Sequence, residues 1–145
     1  MIAVDTNLLV YSHRSDSSFH KAAKELIETL RSSPAPWAIP WPCVHEFLSI
    51  VTHPKVFKTP TPLQAGFACV DAWLAGGNLH FIGESDGYLA RLRGIASAAQ
   101  LQGPRIHDAR IAALCLHHGV RELWTADRDF STFPQLRTRN PLVQK

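Results

Sequence analysis

The sequence has few cysteines and no long hydrophobic run, and both shortages restrict the class of protein. Its three cysteines, Cys43, Cys69 and Cys115, are widely spaced and form no CxxC pair. This spacing argues against a disulfide framework, and we expect the cysteines to be small core residues. No apolar stretch approaches the roughly 20 residues that cross a bilayer. No basic region precedes an apolar segment at the start, so we expect a cytoplasmic protein that does not enter a membrane.

Motifs that mark several common enzyme classes are also missing. The glycines form neither a GxGxxG pattern nor a P-loop, which argues against a site that cradles a nucleotide. The sequence contains no Gly-x-Ser-x-Gly nucleophile elbow. It also lacks a His-x₃-His pair with a neighbouring glutamate, so a zinc site is not expected.

The composition is that of one globular domain with a mildly basic surface. The 145 residues are 46% hydrophobic, and a chain of this length buries a sizeable core without disulfide or metal supports. We therefore expect a single domain over residues 1–145. The net charge is +3, and ten arginines stand against five lysines. Because guanidinium groups suit planar phosphate contacts, this balance favours an anionic partner such as nucleic acid.

Strands alternate with helices along the chain. Short apolar runs predict strands at 2–4, 37–39, 79–82 and 122–125, with a further edge strand within 136–142. Helical spacing of apolar residues predicts helices at 18–30, 41–51, 63–74, 88–99 and 106–118. The stretch Asp5-Thr6-Asn7 is predicted to be a turn, and 53–62 a proline-rich loop. The alternation predicts an α/β protein with a parallel sheet covered on both faces.

Acidic residues follow several of these strands. Asp5 ends the first strand, Glu46 lies one turn into the helix after the second, and Asp108 lies in the first turn of helix 106–118. Asp127 and Asp129 follow the strand at 122–125. The carboxyl ends of parallel strands gather at one edge, so we expect a carboxylate cluster there. Such a cluster repels itself and needs protons or cations at neutral pH, and oxygen ligands suit Mg²⁺ or Mn²⁺.

Each acid also has an ordinary structural interpretation. Asp5 could be a turn or helix-capping residue, and Asp108 could complement the positive end of its helix. Asp127 and Asp129 could be turn residues, and Glu46 could be a partly exposed charge at a helix rim. The order of these segments at successive strand ends favours the cluster, because isolated turn or surface acids would not coincide in this way.

Three segments and one helical glutamate form a joint pattern, namely VDTNLLVY at 4–11, HDARIAA at 107–113, LWTADRDF at 123–130 and Glu46. This pattern resembles the PIN-domain family, and more narrowly the VapC toxins of bacterial toxin–antitoxin modules. The resemblance covers essentially the whole chain. It implies a three-layer α/β/α sandwich with a central parallel sheet, Mg²⁺- or Mn²⁺-dependent ribonuclease activity, a homodimer and a small antitoxin partner. The family's acidic quartet falls on Asp5, Glu46, Asp108 and Asp127, and Asp129 matches a position that is often acidic.

The mechanism that follows is metal-assisted hydrolysis of an RNA phosphodiester. Asp5 and Asp108 would hold the ion, with Glu46, Asp127 and Asp129 completing the site directly or through water. Thr6 and Asn7 could orient water or phosphate. Three arginines are candidate phosphate contacts, although each could equally be an ordinary surface charge: Arg14, Arg110 and Arg128.

Two other classes of function stay open. A phosphatase or phosphotransferase could use Asp5 as its nucleophile, but it would leave Glu46 without a role and lacks a lysine near the later acids. A non-catalytic binding module could carry the acids as structural residues. For partner binding, apolar side chains on the N-terminal helices are the expected surface of a dimer and of the antitoxin, namely Phe19, Leu26, Phe47 and Leu48.

Overall fold

Five short strands form one parallel sheet in the computed structural model, which describes residues 1–143. The strand order is β3-β2-β1-β4-β5, and every neighbouring pair is parallel. This arrangement confirms the α/β prediction. The strands are β1 (Ile2–Val4), β2 (Trp37–Pro40), β3 (Leu79–Ile82), β4 (Glu122–Trp124) and β5 (Thr138–Arg139).

Helices cover both faces of the sheet and make the three-layer sandwich. They are α1 (Thr6–His13), α2 (His20–Ser32), α3 (Trp41–Val51), α4 (Leu63–Leu74), α5 (Tyr88–Ala98) and α6 (Ile106–His117). Helix α1 packs on α2 and α3, and α3 packs on α4, whereas α5 packs on α6. The chain runs from β1 to β3 in one direction and returns from β3 to β4. Right-handed crossovers therefore place α1–α4 on one face and α5–α6 on the other.

The central strand β1 lies at the point where the chain reverses direction across the sheet. Ala3 pairs with Ala38 of β2 on one side and with Leu123 of β4 on the other. In open parallel sheets, the carboxyl ends of strands on either side of such a reversal border the crevice where ligands bind. The residues that follow β1 and β4 are therefore expected to border a ligand crevice.

The strands at the centre of the sheet are apolar because both of their faces are covered. Ala3, Val4, Trp37 and Leu123 are fully buried, as parallel strands between two helical layers require. The cysteines are free: Cys43 and Cys115 are buried and Cys69 is half-buried. The expected place in the core is confirmed for Cys43 and Cys115, whereas Cys69 is partly exposed and packs against the core from outside.

The structure corrects two sequence-based expectations and confirms a third. The predicted turn at Asp5-Thr6-Asn7 is wrong, because α1 begins directly at Thr6 and buries Leu8 and Leu9 against the sheet. The short edge strand predicted within 136–142 is confirmed as the two-residue β5 at the edge of the sheet. Phe47 is fully buried and packs its ring on Trp73 at 4.8 Å between centroids, so it cannot form part of a partner surface. Between residues 1 and 143, no helix is long and apolar enough to span a bilayer.

Candidate active site

The ends of β1 and β4 are joined side by side. The backbone amide of Asp5 donates to the carbonyl of Trp124 at 3.0 Å. The Thr125 hydroxyl donates to Oδ2 of Asp5 at 2.7 Å and accepts from the amide of Asp127 at 2.9 Å. Thr125 thus holds Asp5 and the start of the acidic loop together across the sheet.

Asp5 is a buried carboxylate with donors on both oxygens. Only 4% of the residue is exposed, and the Cys43 thiol donates to its Oδ1 at 3.5 Å. Burial raises the pKa of Asp5 to about 6, and the charge of Glu46 acts in the same direction. Hydrogen bonds from Thr125, from the Thr6 amide and from Cys43 lower this pKa, but they offset only part of the effect of burial.

Glu46 is fixed to α1 by the residue that follows Asp5. The Thr6 hydroxyl donates to Oε2 of Glu46 at 2.7 Å. Thr6 is buried, whereas Glu46 is half-buried. This bond brings a carboxylate of α3 beside the end of β1. The Thr6 hydroxyl, which we expected to orient water or phosphate, therefore binds Glu46 instead.

Asp108 lies among the other acids at the start of α6. It is half-buried. Burial raises its pKa, and the negative charges of Asp127, Asp129 and Glu46 raise it further, while Arg105 opposes them. Like-charge repulsion of this kind requires that the carboxylates share one region.

Asp127 and Asp129 differ in position although only one residue separates them. A short 3-10 helix spans Arg128–Thr132, and the carboxylate of Asp127 caps it by accepting from the amide of Asp129 at 2.9 Å. Asp127 is half-buried and Asp129 is exposed. The chain therefore turns at Arg128, and Asp129 is more exposed than Asp127.

Asn7 braces the loop after β4. Its side-chain oxygen accepts from the amide of Ala126 at 3.3 Å. On the far side of the acidic loop, Arg105 donates to the Thr132 hydroxyl at 2.8 Å and to the carbonyl of Asp129 at 3.5 Å. Both ends of the loop that carries Asp127 and Asp129 are thus tied to other parts of the fold.

The three arginines suggested as phosphate contacts have different surroundings. Arg14 binds Asp16 at 2.6 Å and lies 4.0 Å over the Phe57 ring, so its guanidinium supports the loop after α3. Arg110 forms an ion pair with Glu84 at 2.6 Å. Arg128 is exposed and has no ion pair with any residue in 1–143.

The chemistry of the acidic residues fits a hard divalent cation, since all five offer carboxylate oxygens. The raised pKa values of Asp5 and Asp108 indicate negative charge that a proton or a cation would stabilise. Within residues 1–143, however, no three histidine, cysteine, aspartate or glutamate side chains are arranged closely enough to hold a metal ion. The structure gathers the acids into one region but does not form a complete coordination shell.

Sequence reasoning missed three residues that organise this region. The sequence pattern predicts only a strand position for Thr125 and a core position for Cys43, and it predicts no role for Arg105. The sequence offers a signal for Thr125, because its hydroxyl stands at the end of an apolar strand and two residues before an acid. The contacts of Cys43 and Arg105 depend on the packing of segments that are distant in sequence.

Comparison with known proteins identifies the family. The sequence matches the PIN domain over residues 2–136. The VapC ribonuclease Mb2897 of Mycobacterium bovis is 35% identical over 142 residues, which cover 98% of this chain and 96% of that protein. Ribonuclease VapC48 of Mycobacterium tuberculosis is 30% identical over 137 residues, 94% of each chain.

Solved structures share the fold. VapBC2 from Rickettsia felis, bound to a DNA fragment from its promoter, aligns with a TM-score of 0.70 at 19% identity over 96% of this chain and 98% of that one. The Mycobacterium tuberculosis toxin VapC20, which cleaves the sarcin–ricin loop, aligns with a TM-score of 0.63 at 16% identity over 90% and 93% of the two chains. The chain belongs to the PIN-domain family.

Proposed function

We propose that this protein is an endoribonuclease that requires Mg²⁺ or Mn²⁺ and acts as the toxin of a type II toxin–antitoxin module. One observation supports the proposal: acidic residues from four separate segments lie in one region near the ends of β1 and β4, close enough for their charges to raise one another's pKa. Relatives that match nearly the full chain are named VapC ribonucleases. This supports RNA as the substrate of that crevice.

Asp5 and Asp108 are the proposed ligands of the cation, with Glu46, Asp127 and Asp129 binding it directly or through water. When bound, a divalent cation lowers the pKa of water and stabilises charge on phosphoryl oxygens. The carboxylate of Asp5 must be ionised to bind, and the hydroxyl of Thr125 favours that form by donating to Oδ2. The acids also give a negatively charged crevice that repels RNA unless a cation neutralises it.

The other residues of the site orient these carboxylates. Thr6 holds Oε2 of Glu46, which leaves Oε1 to accept a hydrogen bond from an attacking water. Asp127 caps the 3-10 helix and so fixes the loop that carries both Asp127 and Asp129. Orientation of this kind lowers the entropic cost of bringing water and phosphate together.

The proposed partners are an antitoxin and a second copy of the chain. VapBC2 and the gonococcal FitAcB, solved as toxin–antitoxin assemblies of the same fold, support an antitoxin partner. A basic or amphipathic segment of the antitoxin would complement the acidic crevice. Both the RNA substrate and such a partner are consistent with action in the cytoplasm.

A cleavage assay with several substrates tests the function. Purified protein is freed of metal with EDTA and then given single-stranded RNA, DNA of the same sequence, or p-nitrophenyl phosphate, each with and without Mg²⁺ or Mn²⁺. We expect cleavage of RNA only when the metal is restored. Release of p-nitrophenol would instead support the phosphatase reading, and inactivity towards all substrates would support a binding module. Sequencing of RNA 5′ ends after induction would then identify the target.

A further inference from the structure

A second cleft adjoins the acidic crevice at the ends of β4 and β5. Its volume is about 1020 Å³, and residues 125–128 and Ser131 line one side while 138–141 line the other. Thr125 and Asp127 belong to both the cleft and the acidic site. Pockets for small-molecule ligands have volumes of about 300–1,000 Å³, so this cleft has room for a group much larger than an ion.

Arg139 is fixed on the β5 side of this cleft. It pairs with Trp124 in the sheet, and its carbonyl accepts from the amide of Thr125 at 2.9 Å. Its guanidinium lies 6.0 Å from the centre of the Trp124 ring, within the range of a cation–π contact. The ring is itself held by a 2.8 Å bond from its Nε1 to Glu122. Arg139 therefore places a positive charge beside the Trp124 ring, in a cleft that Thr125, the residue that binds Asp5, also lines.

Arg128 provides a second positive charge on the opposite side. It lies between Asp127 and Asp129 at the start of the 3-10 helix. Both Arg128 and Arg139 are exposed, and neither forms an ion pair within the described part of the chain. The neighbouring Arg137, in contrast, binds Glu122 at 3.2 Å. The two arginines that line the cleft are thus the ones whose charge is available to an anionic ligand.

We infer that this cleft binds the RNA strand beside the phosphate that is cleaved, with Arg139 and Arg128 contacting successive backbone phosphates. The inference rests on the proposed function and adds a path for the substrate. Guanidinium groups bind phosphate through two parallel hydrogen bonds. Their charge offsets the repulsion between RNA and the adjacent acids. The hydroxyl of Ser131 and the amide of Asn140, which line the same cleft, offer hydrogen bonds to sugar or base edges.

Binding of a fluorescein-labelled 12-nucleotide single-stranded RNA of mixed sequence, measured by anisotropy in EDTA, tests the inference. Arg139→Gln and Arg128→Gln should each raise Kd on the order of fivefold. Each should also reduce the slope of log K against log salt by about 0.7, the value for one lost contact to a single strand. In Mg²⁺, the same variants should raise the KM for RNA cleavage more than they lower kcat.

Arg121→Gln is the matched control, because Arg121 is exposed and precedes β4 at the opposite edge of the sheet. Its Kd, salt slope and KM should equal those of the wild type. If Arg139→Gln and Arg128→Gln also match the wild type while RNA is cleaved normally, the path is wrong and the proposed function stands. If the wild-type protein neither binds nor cleaves RNA with Mg²⁺ or Mn²⁺, both proposals fail.

Discussion

Asp5 makes folding stability depend on pH. Burial raises its pKa from 3.8 to about 6, so between these pH values the folded state keeps a proton that the unfolded chain has released. The stabilisation is complete below about pH 4 and is lost as the pH rises through 6. A pKa change of about 2 corresponds to roughly 3 kcal/mol. At neutral pH and without metal, the free energy of unfolding is therefore lower by about this amount than it is at pH 4.

Replacement of Asp5 by asparagine should separate activity from stability. We expect Asp5→Asn to abolish metal-dependent RNA cleavage while leaving the free energy of unfolding in EDTA near pH 7 unchanged or higher, by at most about 3 kcal/mol. Asp71→Asn, on the exposed surface of α4, should change neither. Cleavage assays and urea denaturation measure the two effects. Full activity of Asp5→Asn in metal-defined buffer would remove Asp5 from the site.

Thr125 should set the pKa of Asp5. Its hydroxyl donates to Asp5 and accepts from the amide of Asp127, so Thr125→Val should raise the pKa of Asp5 above about 6. The variant should also lose about 1 kcal/mol of stability, because the partly buried amide of Asp127 loses its acceptor. Thr125→Ser keeps the hydroxyl and should restore both values. Carbon NMR titration of the Asp5 carboxyl in EDTA measures the shift, and an unchanged pKa in Thr125→Val would contradict it.

Asp127 and Asp129 should contribute unequally to activity. Asp127 is half-buried and caps the 3-10 helix, whereas Asp129 is exposed. At the Mg²⁺ concentration that saturates the wild-type protein, Asp127→Ala should therefore lose more activity than Asp129→Ala. A higher Mg²⁺ concentration should partly restore the activity of Asp129→Ala only. Asp127→Ala should also lower the free energy of unfolding by about 1 kcal/mol because it removes the cap of the 3-10 helix. Asp127→Asn keeps a capping oxygen and should not. Metal titrations of the three variants test this, and equal losses that metal does not rescue would show that the two aspartates act as one unit.

The sequence predicted that the acids of the candidate site lie together, but it did not indicate Thr125 or Cys43, which bind Asp5. Asp5, Glu46 and Asp108 could be placed at one edge because the alternation of strands and helices fixes where strand ends gather. Thr125 acts on a residue 120 positions away, and Cys43 on one 38 positions away. Contacts of that range depend on the register of packed segments, which the local pattern of hydrophobic residues does not encode.

Helix α1 was not predicted, because its apolar residues do not recur with a helical period. Leu8, Leu9 and Val10 are consecutive and all buried, so the segment reads as a short apolar run rather than as an amphipathic helix. The predicted bounds of the other five helices agree with the structure to within two residues. Helix α6 also buries a run of consecutive residues, 111–115, but it is 12 residues long, whereas α1 has only 8. Length therefore distinguishes a buried helix from a buried strand where periodicity does not.

Two glycines in different backbone conformations should respond oppositely to alanine. Gly94 lies inside α5 with open space around it, so Gly94→Ala should stabilise the protein by about 0.5–1 kcal/mol through helix propensity. Gly119 ends α6 with a φ of +68°, and Gly119→Ala should destabilise it by about 1 kcal/mol. Thermal unfolding measures both changes. A loss of stability in Gly94→Ala would contradict the assignment of α5 as an ordinary exposed helix.

At the scale of the whole molecule, exposed apolar side chains favour a dimer through the α1–α4 face. Phe19 and Phe67 are 44% and 45% exposed, and both belong to that layer. We expect a dimer by light scattering at micromolar concentration, with dissociation caused by Phe19→Ser or Phe67→Ser. Leu89→Ser, which alters an exposed residue of α5 on the other face, should leave the mass unchanged. A monomer mass for the wild-type protein would contradict the dimer.

The central position of β1 has a consequence for how the protein is made. β1 is translated early but needs β4 as its second neighbour, and Asp5 needs a hydroxyl that lies 120 residues later. At about 5–20 residues per second, a ribosome completes β4 on the order of ten seconds after β1. During that interval the carboxylates of Asp5 and Asp127 have no common crevice. The acidic site of the proposed ribonuclease therefore cannot form until nearly all of the domain has been translated.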